Sequence, residues 1–235
     1  MPASGAGAGL ARAVQPGRSA YSLDRPRDWG AALRSSELDL RDPGAKRPFI
    51  VGIGGTVRGG STTELALVRS LRACEAAGAR TQLFGGEFLA GLPLYDPRPA
   101  EVTPQQAELV AAVRASEGVI VATPGYHGSI SGLVKNALDT LEITAVDAAP
   151  YFHGRAVGVI VTAHGWQATG STLAALRSIV HALRGWPTPF GAALNVTGGL
   201  FDDSGGCLDA KDEWALTTVA EQVMEFAAMR VRAAG

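Results

Sequence analysis

The chain has little cysteine: two residues in 235, Cys74 and Cys207, neither with metal-ligand spacing around it. That argues against a stapled secreted fold, although a single Cys74–Cys207 disulfide stays open. Cys74 reads as small core filler in a helix, and Cys207 falls in a glycine-rich loop. Long apolar runs are missing as well; none approaches the roughly 20 residues that span a bilayer. The Ala/Gly-rich start, Met1 to Ala20, lacks the continuous apolar core of a signal peptide. A soluble, cytoplasmic protein without a membrane partner is therefore expected. Neither charge sign dominates: 21 Lys and Arg against 22 Asp and Glu leave a net charge of -1, unlike the basic surplus of a general nucleic-acid binder. Catalytic groupings are also missing. With no Ser-His-Asp order, no cysteine beside a base and no clustered metal ligands, no side chain is assigned as catalytic and no metal is expected. Chemistry carried by a cofactor is the reading this absence favours.

What is present centres on one stretch, Pro48-Phe-Ile-Val-Gly-Ile-Gly-Gly-Thr-Val-Arg-Gly-Gly-Ser-Thr-Thr63. Phe49 to Ile53 has the length and composition of a buried strand. Glycines 54, 55, 59 and 60 break it, and Ser61, Thr62 and Thr63 stand where a helix would begin. Bare backbone N–H groups and the positive end of a helix dipole make such a place an anion site. Arg58 adds a charged planar fork suited to phosphate. The loop has no Lys and only part of the G-x-G-x-x-G spacing, which excludes both the nucleoside-triphosphate loop and the dinucleotide fingerprint. A glycine-rich turn with no ligand is the competing reading.

Around this stretch, strands and helices alternate. Helices are expected over about Ser61–Ala77, with Leu65, Val68 and Leu71 facing a sheet, and over Pro104–Ser116. Others are expected from the end of a second loop to about Glu142, from Ser171 or Thr172, and over Asp209–Arg232. Strands are expected at Arg80–Phe84, Gly118–Ala122, Val157–Thr162 and Pro189–Val196, with an irregular Leu89–Pro99. Near-continuous apolar strands in this rhythm mean a parallel sheet covered on both faces. The fold class is α/β: a flavodoxin-like three-layer sandwich with a five-stranded parallel sheet of order 2-1-3-4-5 and the site at the carboxyl ends of its strands. Residues 1–47 are too polar and broken for a core. They are expected to be an extension, partly disordered or an arm reaching a neighbouring subunit, ahead of the domain at 48–235.

Two more loops belong to that edge. Thr123-Pro-Gly-Tyr-His-Gly-Ser-Ile-Ser131 offers an aromatic and flexible backbone that can flank a planar heterocycle, though such a loop is as readily only a turn. His164-Gly-Trp-Gln-Ala-Thr-Gly170 can cover the other side of the same plane. His127 and His164 suggest acid–base roles, but a satisfied or solvent-facing histidine is the plainer reading of each.

Thr56-Val-Arg-Gly-Gly-Ser61 after an apolar strand, together with Thr123 to Asp139, resembles the NAD(P)H-dependent FMN reductase family over about residues 48–230. The resemblance implies a flavodoxin-like fold and FMN as cofactor. By position, Thr56, Arg58, Ser61 and Thr63, with Thr62 beside them, would hold the FMN phosphate. Pro124, Gly125, Tyr126, His127, Gly128 and Ser129 would line the ribityl chain and ring, and His164 and Gly165 would approach the ring from the third loop. The family commonly has Ser where Thr56 stands and Pro where Ser131 stands.

The implied activity is hydride transfer from NADPH or NADH to flavin N5. Electrons then pass to oxygen, a quinone-like small-molecule acceptor or a partner flavin-dependent monooxygenase. A homodimer or homotetramer is implied too, and Arg98 and Arg155 are candidates for a nicotinamide 2′-phosphate. The alternatives are an FMN-bound tailoring oxidoreductase with a specific small organic substrate, or an electron-transfer or redox-sensing flavoprotein.

Overall fold

The computed structural model describes residues 46–98 and 101–233. The expectation for an N-terminal arm falls on residues outside this range, apart from Lys46 and Arg47. Those two already belong to the folded unit. Arg47 donates to the carbonyls of Gly78 and Ala79 at 2.8 and 2.9 Å, and Lys46 pairs with Glu117 at 2.9 Å.

Among the described residues seven strands form the sheet: β1 (Phe49–Gly54), β2 (Arg80–Phe84), β3 (Gly118–Tyr126), β4 (Ser129–Ile130), β5 (Ala156–Ala163), β6 (Trp186–Pro187) and β7 (Ala192–Asn195). The parallel order is β2-β1-β3-β5-β6, with β7 also parallel to β5 and β4 antiparallel to β3. With the β3–β4 hairpin counted as one position and β6 and β7 as another, this is the expected five-position doubly wound sheet. The fifth position is split. Ala156 and Val157 pair with Trp186 and Pro187, and pairing resumes at Ile160–Ala192. Thr188-Pro-Phe-Gly191 lies between; Pro189 has no N–H to give a ladder.

The helices are α1 (Thr62–Ala76), α2 (Gly86–Ala90), α3 (Pro104–Ala115), α4 (Gly132–Thr140), α5 (Trp166–Ala182) and α6 (Ala210–Ala233). Because side chains alternate along a strand, Val51, Ile53, Val119, Val121, Val157, Val159 and Val161 face one helical layer. They meet Leu109 and Val113 of α3, Val134 and Leu138 of α4, and Leu176 and Val180 of α5. Ile50, Ile120 and Ile160 face the other layer, against Leu67 and Leu71 of α1 and Leu216, Val219 and Val223 of α6. Each such side chain taken fully from water is worth about 1.5–3 kcal/mol. On this second face Gly158 sets the approach of α6: a Cβ there would lie 2.6 Å from Val219 Cγ1. The two helices of the layer are fastened by a bidentate Arg69–Glu213 pair and by Ser70 Oγ donating to Leu216 O.

Four sequence expectations are corrected and one open reading is closed. Leu65 is exposed, and the buried stripe of α1 is Thr63, Ala66, Leu67, Ser70, Leu71 and Cys74. The helix after β5 begins at Trp166 rather than Ser171, and β3 runs on through Tyr126. Cys74 and Cys207 are both free. Arg155 is buried just before β5, at the sheet edge away from the glycine-rich loops. It donates to the carbonyls of Arg114, Ser116 and His153 at 2.8, 2.9 and 3.2 Å, so it is structural. Burial first, then repulsion from Arg230, lowers its pKa to about 10, against the opposing pull of Glu117.

Candidate functional site

The connections after β1, β3 and β5 leave the carboxyl edge of the sheet on either side of the position where strand order reverses. That is the crevice in which open α/β sheets bind ligands.

The first loop runs from Gly55 to Ser61. Ser61 is the N-cap of α1: its backbone is extended and its Oγ accepts from Glu64 N at 3.3 Å. Gly60 reaches this cap with φ of 68°. Val57, Arg58, Gly59 and Gly60 are exposed, and Arg58 has no carboxylate partner among the described residues. Thr56 Oγ1 donates to Arg58 O at 3.3 Å, closing the turn. By helix geometry the N–H groups of Thr62 and Thr63 have no intrahelical acceptor.

One expected contributor, and one that was not expected, are already engaged. The Thr63 hydroxyl is buried and bonded to Thr162 Oγ1 at 2.6 Å, tying the start of α1 to the end of β5; of Thr63, the N–H is what remains for a ligand. The Glu64 carboxylate accepts from Gly60 N at 3.1 Å through Oε1 and from Gly86 N at 2.7 Å through Oε2. Gly86 opens α2, and the first loop lies so close to it that a Cβ there would fall on the Thr56 carbonyl. Glu64 and the Gly85-Gly86 turn were missed as site elements by the sequence reading. A signal existed: Ser61-Thr-Thr-Glu64 is a capping-box pattern, S-x-x-E.

The second loop is a tight hairpin. Gly125 pairs with Ile130 and Tyr126 with Ser129, which leaves His127 and Gly128 as a two-residue turn with φ of 51° and 84°. Positive φ at both central positions defines a type I′ turn, whose twist suits a hairpin. Pro124 is buried in the strand, whereas Tyr126, His127, Gly128 and Ser129 are exposed. The hairpin leans on α5: Thr172 Oγ1 donates to Ser129 O at 3.4 Å, and a Cβ on Gly125 would come within 2.8 Å of that hydroxyl. Thr123 Oγ1 accepts from Ser131 N at 3.0 Å and draws the returning chain back. Ser131, where Pro is common in the resembled family, caps α4 by accepting from Val134 N at 3.2 Å.

In the third loop His164 is exposed. Gly165 has φ of 94°, and its N–H donates to Asn195 Oδ1 at 3.0 Å. Asn195, at the end of β7, also accepts from Thr197 N and Oγ1, at 3.1 and 2.7 Å. It was another unforeseen contributor. Trp166, the first residue of α5, is 69% exposed.

Comparison with known proteins agrees with this geometry. A family model described as NADPH-dependent FMN reductase matches residues 48–197, well over half of the chain. An FMN-dependent NADPH-azoreductase of Staphylococcus aureus is 36% identical over 89 residues, 38% of this chain and 44% of that protein. The chain thus spans less than half the length of the curated relatives it matches. Among solved structures, the flavoenzyme NAD(P)H:(acceptor) oxidoreductase FerB of Paracoccus denitrificans superposes with a TM-score of 0.66 at 18% identity, covering 77% of this chain and 98% of that one. An NADH:FMN oxidoreductase, EmoB, in its apo form gives 0.56 at 22% identity, covering 77% and 89%. At such identities the likeness is one of fold. Fold, loop placement and the family match lead to one conclusion: the chain belongs to the NADPH-dependent FMN reductase family.

Proposed function

We propose that the protein is an FMN-dependent oxidoreductase that takes a hydride from NADPH or NADH and passes electrons to oxygen, a quinone-like acceptor or a partner monooxygenase. The observation that carries this reading is the first loop. An exposed Arg58, without a carboxylate partner among the described residues, stands beside a capped helix start whose Thr62 and Thr63 N–H groups are free of intrahelical partners. That donor set suits a terminal phosphomonoester, with charge, two N–H groups and the hydroxyl of Ser61, while the Thr56 hydroxyl, bonded to Arg58 O, shapes the turn. It suits a triphosphate less well, because the loop has no lysine.

From that anchor a ribityl chain would run toward the hairpin, where Tyr126, His127, Gly128 and Ser129 would lie along it and the ring. His164 and Gly165 would meet the ring from the third loop. FMN, once bound, supplies the hydride acceptor and the electron relay. The residues bind and orient; none is needed as a proton donor. Gly165 N–H is held by Asn195, so Gly165 would contribute shape rather than a hydrogen bond. The functional unit would be a homodimer or homotetramer in the cytoplasm; among the described residues no helix is long and apolar enough to cross a membrane. Residues 1–47 would be an extension of that unit.

The absorption spectrum of the purified protein with added FMN, followed by anaerobic titration with NADPH and NADH, tests the reading. Perturbation of the flavin bands on binding and their bleaching by one of the nucleotides is expected. FMN bound but bleached by neither would make the protein an electron carrier or sensor, and no FMN binding would sink the reading.

A further inference from the structure

The Glu64 carboxylate presents a puzzle that the proposed function does not absorb. It is an anion at the first turn of the helix that would receive a phosphate, where a second negative charge should oppose binding. Its geometry offers an answer. Oε1 takes the N–H of Gly60, in the loop, and Oε2 takes the N–H of Gly86, at the start of α2. One side chain therefore fastens the loop's returning limb to a turn 26 residues further along the chain, as the positions 60 and 86 show.

The surrounding space is built for that carboxylate. A Cβ on Gly85 would come within 2.7 Å of Oε2 and one on Gly55 within 2.9 Å, so glycine stands at both places where the carboxylate passes closest. Ser61 holds Glu64 from the backbone side through the cap bond. Both oxygens are turned onto N–H donors, which holds the charged carboxylate in place, and charge-assisted bonds of this kind are about twice as strong as neutral ones.

We infer that Glu64 is the positioning residue of the phosphate loop: by bridging Gly60 and Gly86 it sets the loop so that Thr56, Arg58 and the start of α1 converge on one anion. The inference rests on the proposed FMN function. Without the bridge, a loop with glycines at 55, 59 and 60 would have to be ordered by the ligand itself, and that ordering cost would appear as lost affinity. The effect belongs to the phosphate end of the ligand alone.

Full-length Glu64→Ala and Glu64→Gln variants, titrated with FMN and with riboflavin, test this. Riboflavin has the same ring and ribityl chain and no phosphate. Alanine is the best helix former and Glu64 is only half-buried, so the alanine variant is expected to fold. FMN should bind about tenfold more weakly to Glu64→Ala, the equivalent of one charge-assisted hydrogen bond. The loss should be smaller in Glu64→Gln, which keeps one acceptor oxygen. Riboflavin affinity should stay level, and amide hydrogen exchange at Gly60 and Gly86 should speed up in both variants without ligand. FMN binding that is unchanged or tighter in both variants would overturn the inference, because removal of an opposing charge would then outweigh any positioning. Equal weakening toward riboflavin would also overturn it, as a general distortion of the site. If the unaltered protein does not bind FMN, the functional reading falls and takes this inference with it. If the unaltered protein binds FMN and Glu64→Ala binds it equally well, the inference alone falls.

Discussion

Replacing Gly86 with alanine should separate the site's loops while sparing the sheet. Gly86 is not in the left-handed region of φ, so alanine meets no backbone penalty there. The obstacle is contact. The added Cβ would fall on the Thr56 carbonyl oxygen and 2.6 Å from its carbon, both backbone atoms that cannot rotate away. Restoring an ordinary separation of about 3.5 Å would push the first loop and α2 apart by roughly 2 Å. A shift of that size breaks the 2.7 Å bond between Gly86 N and Glu64 Oε2 and leaves the carboxylate half-satisfied. A hydrogen bond to a charged group is worth about 1.5–3 kcal/mol. In a chain of this size each kcal/mol moves Tm by about 2–4 °C, so a fall of roughly 3–12 °C is expected.

The site should suffer more than the fold, because the exposed limb at Val57 to Gly60 will move before the buried β1 does. FMN affinity should drop roughly tenfold or more, as expected when binding groups lie an ångström or more out of place. Gly132→Ala is the control: a Cβ there meets nothing within 4 Å, and neither Tm nor affinity should fall. Differential scanning calorimetry and FMN titration of the two variants side by side read the outcome. Gly86→Ala protein that melts and binds FMN like the unaltered chain would show that the loop does not need its dock on α2, and the reasoning would fail.

Arg58→Ala should weaken FMN about tenfold, the gain of a charge-assisted contact less the cost of ordering an exposed side chain, and should leave hydride transfer at saturating FMN nearly unchanged. Equal FMN affinity in that variant would remove Arg58 from the phosphate site. At the far edge of the sheet, Arg155→Ala should cost about 2–6 kcal/mol, because it strands the two carbonyls of Arg114 and Ser116 at about 1–3 kcal/mol each, yet leave FMN affinity intact. Calorimetry with FMN titration separates the two effects. Cys207 should react slowly with a thiol reagent at pH 8: burial first, then a hydrogen bond to Glu213, pushes its pKa up to about 12, so the thiolate is scarce. Labelling should become fast only on unfolding, and rapid labelling of the native protein would contradict this.

How much of this was legible in the sequence depended on what held each part in place. β1, β3 and β5 are apolar because both faces are covered, and that requirement is written in consecutive residues. The buried stripe of α1 was harder to read. The stripe mixes small residues such as Ala66, Ser70 and Cys74 with Leu67 and Leu71, while the equally large Leu65 points to solvent. The start of α5 was hidden for a related reason. Trp166 to Gly170 has the polar, glycine-bearing composition of a loop, but Thr169 and Thr172 turn inward, and Gly170 costs only about 1 kcal/mol in an exposed helix position. At the site, the hydroxyls, Arg58 and the glycines announced themselves as residue types. Glu64 and Asn195 did not, because most of their partners are backbone N–H groups, which no residue type marks; only the S-x-x-E spacing pointed to Glu64.

Those unannounced residues share a task. Each of the three loops at the sheet edge has a backbone N–H held by a side chain: Gly60 by Glu64 in the first, Ser131 by Thr123 at the end of the second, Gly165 by Asn195 in the third. Glycine-rich loops lose much conformational freedom when a ligand orders them. A side-chain acceptor moves that cost from binding to folding, where a large core can absorb it. It also spends donors that a ligand would otherwise meet. At the first loop the Gly60 and Gly86 N–H groups and the hydroxyls of Thr56 and Thr63 are taken, which leaves Arg58, the N–H groups of Thr62 and Thr63, and the hydroxyl of Ser61. A site with few donors held in place favours one compact anion over an extended one. On that ground a flavin carrying a single terminal phosphate should be a better ligand for this loop than a dinucleotide, because few donors remain there for a second phosphate.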